Sequence, residues 1–391
     1  MSKRIPLFYT ITAIFWFALY AYVPYISPYG EYLGADLRFI GLIVGAYGFT
    51  QMLIRFPLGI LSDRLGKRKI FVLGGLFFAA ISGVVVFIVP SSMALLISRS
   101  LGGVAAASWV TFTILGASYY SPEETSKSMG YLNSANALGR ILAFLAGGLI
   151  AQWMGVPYAF LLGGLAGGVG LIAGLWIRDD AKSKNNCECP DNKIEKTPKI
   201  SELLLSISNK QLLIASLMAI ICMYISFATN FGFTPLLAEN LGANSFQLGM
   251  LGMSAALPGL FVSPLAGTVM PKKLGSRNTI MIGFTLTAIG CCLLIFSTNL
   301  VQLYMIQVII STGTAIAYTL LMSLSIMDIP AKSRATGMGF FQAVYGIGMF
   351  VGPFLTGWIA HGFGLSIAFG FTSGVGLIGV ILACMFIQKT I

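Results

Sequence analysis

Three arginines stand where a charge is hardest to keep: Arg55, Arg99 and Arg140 each interrupt a long apolar run. An ionisable side chain inside a membrane-spanning segment is costly and is by default a functional site. Arg140 lies about 11 residues from either end of its run, roughly 16 Å at 1.5 Å per residue. That is too far for its guanidinium to reach an interface, so it must face a polar cavity or a partner. Arg55 and Arg99 lie about six residues, roughly 9 Å, from an end, within reach of water by extending their stems along the helix. Nearby polar residues share faces with them. Asn133, Asn136 and Arg140 are spaced i, i+3, i+7, and Tyr47, Gln51 and Arg55 are spaced i, i+4, i+8, so each set lines one side of a helix. Trp16, Tyr20 and Tyr25 on the first run, Tyr224, Asn230 and Phe231 on the seventh, and Gln342 with Tyr345 on the eleventh join the set. Together they describe an apolar cavity with a few polar contacts and positive charge. The candidate cavity residues are Arg140, Asn133, Asn136, Arg55, Gln51, Gln342, Tyr345, Trp16, Tyr20 and Asn230.

Other chemistries find no residues. None of the 13 carboxylates falls in the middle of an apolar run, and the single histidine, His361, reads as part of a loop. A phosphate-binding loop, a G-x-S-x-G turn and a metal-binding His pair are all missing from the sequence, so an enzyme, a cofactor and a metal are not expected. Cys222, Cys291, Cys292 and Cys384 sit in apolar runs as packing residues. Cys187 and Cys189 form a C-x-C in a polar stretch without further ligands and read as reduced thiols.

The elements that position these residues are membrane spans. The chain is 57% hydrophobic and 9% charged, with mean hydropathy +0.86, against about 25% charged residues in soluble domains. A bilayer takes about 20 apolar residues per helix. Such runs fall at 5–28, 36–61, 70–89, 93–118, 129–152, 156–177, 210–238, 245–270, 278–298, 300–326, 335–360 and 364–387. Lys3 and Arg4 lead into a first run too long for a signal peptide. Residues 178–209 form a charged linker, leaving six-helix units at 1–177 and 210–391. Of the 24 Lys and Arg residues, only Arg38 falls on the far side, and Arg55, Arg99 and Arg140 fall inside spans. All others lie on the side of the termini, which places both termini in the cytoplasm. The net charge of +11 thus reports loop topology and not nucleic-acid binding.

The two units repeat. Leu33-Gly34-Ala35-Asp36 with Ile40-Gly41 recurs as Leu241-Gly242-Ala243-Asn244 with Leu248-Gly249, an offset of 208. Asn133 maps to Gln342 at an offset of 209, and Arg99 maps to Gln307. Pro24 and Pro235 close the first and seventh runs.

The loop after the second run reads Gly59-Ile60-Leu61-Ser62-Asp63-Arg64-Leu65-Gly66-Lys67-Arg68-Lys69. This G-x-x-x-D-R-x-G-K-R-K stretch resembles the loop motif between helices 2 and 3 of the major facilitator superfamily, whose members are secondary transporters. Gly267 to Arg277 is a worn second copy, with Pro271 where Asp63 would be. Arg99 and Gly103 resemble the helix-4 R-x-x-x-G motif of the proton-coupled branch. Gly348, Gly352, Pro353 and Gly357 resemble an antiporter motif. That motif belongs on helix 5, where this chain has Gly139, Ala143, Phe144 and Gly148 instead. The resemblance implies an all-α fold of twelve helices in two six-helix repeats, with the substrate site between them. It also implies gating and coupling roles for Gly59, Asp63, Arg64, Gly66, Arg68, Arg99, Gly103, Gly348, Gly352 and Pro353.

The expectation is therefore a monomeric plasma-membrane protein that exports small amphipathic compounds, with protons as the coupling ion, like the twelve-span drug/proton antiporters. A second reading, from three buried arginines and no buried acid, is transport of an organic anion or metabolite by a uniporter or exchanger. A third is a membrane sensor without transport.

Overall fold

The computed structural model describes residues 4–65, 67–120, 125–177, 209–329 and 334–387. Among the described residues, twelve helices are long and apolar enough to cross a membrane: α1 (Ile5–Tyr32), α2 (Leu37–Gly59), α3 (Arg68–Ile88), α4 (Ser92–Ser118), α5 (Ser128–Met154), α6 (Val156–Gly174), α7 (Lys210–Asn240), α8 (Ser245–Thr268), α9 (Ser276–Leu294), α10 (Leu300–Met327), α11 (Gly337–Phe363) and α12 (Leu365–Phe386). Residues 178–208, with Cys187 and Cys189, lie outside the described residues, as do Gly66 and the side chains of Asp63 and Arg64.

Local chemistry sets where these helices break and end. Pro24 has no N–H for the ladder, and α1 passes through a 3₁₀ turn at Val23–Tyr25. In α7, just before Pro235, a π-helical turn runs over Thr229–Phe233; such turns recur at functional sites. α4 is interrupted at Ser108, whose N–H bonds to the Ala105 carbonyl at 3.0 Å. The repeat is visible in the turns. Gly34 and Gly242 hold φ of +81° and +84°, and Gly155 and Gly364 hold +102° and +87°, a region that disfavours any side chain. Two boundaries differ from the sequence reading. The helix of α2 continues to Leu65 and the next starts at Arg68, so most of the Gly59–Lys69 stretch is helical and not a loop. His361 lies in the last turn of α11 and not in a loop, because the helix ends only at left-handed Gly364.

The first six helices meet the last six along α2·α11 and α5·α8. Lipid gives apolar helices little reason to associate, so close backbone approach at small residues does the work. A Cβ on Gly41 would lie 2.3 Å from the Pro353 carbonyl oxygen, and one on Gly48 2.4 Å from Met349 Cβ. The repeat partner of Gly41 does the same on the other seam: a Cβ on Gly249 would lie 2.5 Å from the Phe144 carbonyl oxygen. Farther along these four helices, Gly59, Gly130, Gly259 and Gly339 have nothing within 4 Å of a built Cβ. The two sets of helices thus touch near the face carrying the 32–37 and 240–245 turns. On the α2·α11 seam contact continues inward, where a Cβ on Gly346 would lie 2.9 Å from Met52 Cβ and Arg55 bonds Tyr345. The opposite, basic face carries Lys67, Arg68, Lys69, Lys272 and Lys273.

Candidate functional site

The α1, α2, α4 and α7 helices converge on an aromatic box at the level where α1 and α7 break. Tyr20, Val23, Tyr47, Arg99, Phe227 and Phe231 surround a space of about 10 Å³, room for about one water. The Tyr47 ring stacks on Phe227 across the two helix sets, with centroids 6.1 Å apart. Tyr20 meets Phe231 edge-on at 6.0 Å and Phe144 at 5.9 Å. Trp16 packs on Tyr20 and on Trp109, and its indole N–H is buried without a partner.

Two guanidinium groups meet this box. The Arg99 Cζ lies 4.4 Å from the centroid of Tyr47, and the Arg140 Cζ lies 4.6 Å from that of Tyr20. Arg99 is 3% exposed, so it does not extend to the interface, as a residue so near a helix end could. Its neighbour Gly103 explains the burial: a Cβ there would strike the Tyr47 carbonyl at 2.3 Å, so α2 and α4 touch backbone to backbone. The Nε atoms of Arg99 and Arg140 are both buried and unpartnered. Among the described residues neither arginine has a carboxylate within ion-pair distance; the ion pairs of Asp36, with Arg38 and His361, lie at the turn face.

Arg55 is placed differently from the cavity role expected of it. It is buried on the α2·α11 seam, and its Nη1 donates to the Tyr345 hydroxyl at 3.2 Å. The pair is a bond between the two helix sets. Gln51 is buried beside it, Asn136 and Gln342 are half-buried, and Asn133 is exposed. Asn230 is brought to the box by the π turn. Its Nδ2 donates to Ser311 Oγ at 3.1 Å, and its Oδ1 accepts from Gln307 Nε2 at 2.6 Å and from Thr229 Oγ1 at 3.1 Å. Gln307 Oε1 is buried without a partner. The sequence reading left Gln307, Ser311 and Phe227 out of the site and named Tyr47 only as sharing the helical face of Gln51 and Arg55. The repeat offset that pairs Gln307 with Arg99 was a signal for the first; nothing in the sequence marks Ser311 or Phe227.

The glycines expected to gate lie at close helix contacts. A Cβ on Gly348 would lie 2.1 Å from the Ile220 carbonyl, and one on Gly352 2.5 Å from that of Tyr224, so both seat α11 on α7. Pro353 offers its carbonyl to Gly41 across the seam. Toward the turn face the site is shut. Tyr25 Oη donates to the Ser245 carbonyl at 3.1 Å, Phe246 N–H donates to Gln152 Oε1 at 3.4 Å, and Asp36 approaches His361 at 3.9 Å. No group of His, Cys, Asp and Glu able to hold a metal occurs among the described residues.

A family model described as Major Facilitator Superfamily matches residues 8–229 and 216–390. An uncharacterised MFS-type transporter of Methanocaldococcus jannaschii is 26% identical over 382 residues, covering 94% of this chain and 93% of that protein. The multi-drug resistance efflux pump PmrA of Streptococcus pneumoniae is 24% identical over 372 residues, covering 93% and 90%. Among solved structures, a bacterial homologue of the human lysosomal transporter Spinster, inward-facing and unoccupied, superimposes with a TM-score of 0.79. The two share 15% identity over 98% of this chain and 95% of that one, a likeness of fold.

Proposed function

The chain belongs to the major facilitator superfamily, and from that premise we propose that it exports small amphipathic compounds across the plasma membrane, driven by protons. That it is a multi-pass transporter of small molecules, and not an enzyme, follows from the family. The export reading rests on one observation: an aromatic-walled site between the two helix sets, closed by Tyr25, Gln152 and Asp36 at the turn face. Such a site receives amphipaths because rings supply area without fixed polarity. Full-length similarity to an efflux pump supports it.

The basic face is cytoplasmic on the positive-inside rule, so this conformation loads from the cytoplasm. Residues 1–177 and 210–391 rock as two bodies about the central site, the usual motion of repeat-built transporters. Asp63 acts in the last turn of the helix that runs over Leu37–Leu65, at the cytoplasmic gate. Pro271, its counterpart, cannot ionise, so one latch is strong and one weak. Asp63→Asn is expected to slow turnover several-fold with little change in apparent substrate affinity; a fall in affinity alone would remove the gating role.

The reading is tested in proteoliposomes with an imposed pH gradient. Uphill flux of an amphipath, abolished by an uncoupler, supports it. Flux that only follows the substrate gradient makes the protein a uniporter or exchanger. No flux of any compound that binds makes it a sensor.

A further inference from the structure

The two repeats place opposite chemistry around one box: Arg99 lines it, Arg140 packs on its wall residue Tyr20, and Gln307 bonds Asn230, the chain neighbour of its wall residue Phe231. Arg99 on α4 and its repeat partner Gln307 on α10 are both nearly fully buried. On the first side Arg99 and Arg140 bring two positive charges whose nearest partners are ring faces. On the second side Thr229, Asn230, Gln307 and Ser311 form an uncharged network. A guanidinium over a ring is stabilised modestly, by about 0.5–2 kcal/mol, much less than the cost of keeping an unpaired charge away from water. Each side also retains an unsatisfied group: the Nε donors of Arg99 and Arg140 on one, the Gln307 Oε1 acceptor on the other. Buried polar groups are rarely left unpaired, and here the missing partners have complementary signs. The donors lack an anion, and the acceptor lacks a neutral donor.

We propose that the transported compound is an aromatic or similarly flat organic anion, with its acidic group between Arg99 and Arg140 and an uncharged hydroxyl or amide N–H on Gln307. Tyr20, Tyr47, Phe227 and Phe231 grip its apolar body. This rests on the transport reading for its context and sharpens it by fixing charge sign and orientation. Arg99 and Arg140 hold the anion by charge-assisted hydrogen bonds in the fork geometry that favours carboxylates and sulfonates. Gln307 reads the far end and discriminates without contributing charge. The space must widen beyond one water to admit such a body, which requires Tyr47 and Phe227 to unstack as the two helix sets part.

The test is equilibrium binding to the purified full-length protein, read by quenching of tryptophan fluorescence. Four matched probes are used: 2-naphthoate, its methyl ester, 2-naphthylmethylammonium and 6-hydroxy-2-naphthoate. The carboxylate is expected to bind about tenfold or more tightly than the ester or the ammonium compound, the scale of a lost hydrogen bond to charge. Arg99→Gln and Arg140→Gln are each expected to erase that preference. Arg99→Lys, which keeps the charge and loses the fork, should retain part of it, separating charge recognition from misfolding. Gln307→Leu should bring 6-hydroxy-2-naphthoate down to the affinity that 2-naphthoate has for the same variant, removing the advantage of the hydroxyl. Preference for the ammonium or ester, no binding of either carboxylate, or an anion preference untouched in both arginine variants overturns the proposal. Flux arbitrates separately. An anion that binds but never crosses a proteoliposome membrane overturns the export reading and leaves this site standing. Gradient-driven flux of cations with intact arginines does the reverse.

Discussion

The α2·α11 and α5·α8 seams began as copies and have become different joints. At the turn face they match. Gly41 lies on the Pro353 carbonyl with Gly357 beside it, and Gly249 lies on the Phe144 carbonyl with Gly148 beside it. Beyond that point they diverge. α2 carries on with Gly45 and Gly48 against Phe350 and Met349, then joins α11 through Arg55 and Tyr345. α8 has Met253 and Ala256 at the equivalent positions, and Ser263 and Asn136, the partners of Arg55 and Tyr345, share no hydrogen bond. One seam is a long zipper with a polar clasp. The other is closed at one end only. Duplicated helices therefore keep the close contact at the turn face, while a few side-chain changes decide how far each seam stays packed.

The largest expected effect separates the zipper from the open seam. Gly48→Leu forces a side chain into Met349 and should cost about 3 kcal/mol, the upper range for overpacking, read as a lower melting temperature and a weakened outer closure. Gly259→Leu on α8 faces open space and should leave the melting temperature unchanged or slightly higher, since glycine is a poor helix former. Equal losses would mean that both seams are continuous.

The clasp comes next. Tyr345→Phe leaves the Arg55 guanidinium without its hydroxyl and should cost about 1.5 kcal/mol, the low end for hydrogen bonds to charge. Asn136→Leu on the other seam should cost clearly less. Reversal of that order in thermal unfolding would show that the polar contact across α2·α11 is not a clasp.

The smallest effect concerns the helix starts. The Asp36 carboxylate caps α2, accepting the Phe39 N–H at 2.7 Å and bonds from Arg38. The Phe39 N–H above all, with help from Arg38 and His361, holds its pKa below the ordinary carboxylate value against the opposing effect of burial. A carboxylate depressed on folding contributes stability that is complete above its unfolded pKa, about 3.9, and is lost as pH falls through the folded value. Its repeat partner Asn244 caps α8 in a capping box with Gln247 and has no charge to lose. Asp36→Asn should therefore remove an acid-side decline in melting temperature below about pH 4 and change little at neutral pH. An unchanged acid limb would assign that decline to other carboxylates.

Much of this architecture was legible in the chain before any coordinates. Twelve apolar runs, the Asp63 stretch and the 208-residue offset follow from hydropathy and spacing, because lipid permits only one way to satisfy a backbone in a helical span. The offset also tied Gln307 to Arg99. Three matters were decided only by tertiary structure. Arg55 read as a cavity residue and became a bond between helix sets, since helical phase gives a face but not the neighbour opposite it. Gly348 and Gly352 read as gating residues, and the structure adds that they seat α11 on α7, a contact that sequence spacing does not name because small residues pack helices whether or not those helices move. The convergence of Tyr20, Tyr47, Phe227 and Phe231 on Arg99 and Arg140 joins residues up to 211 positions apart. Sequence determines which residues can face inward; only packing determines which of them meet.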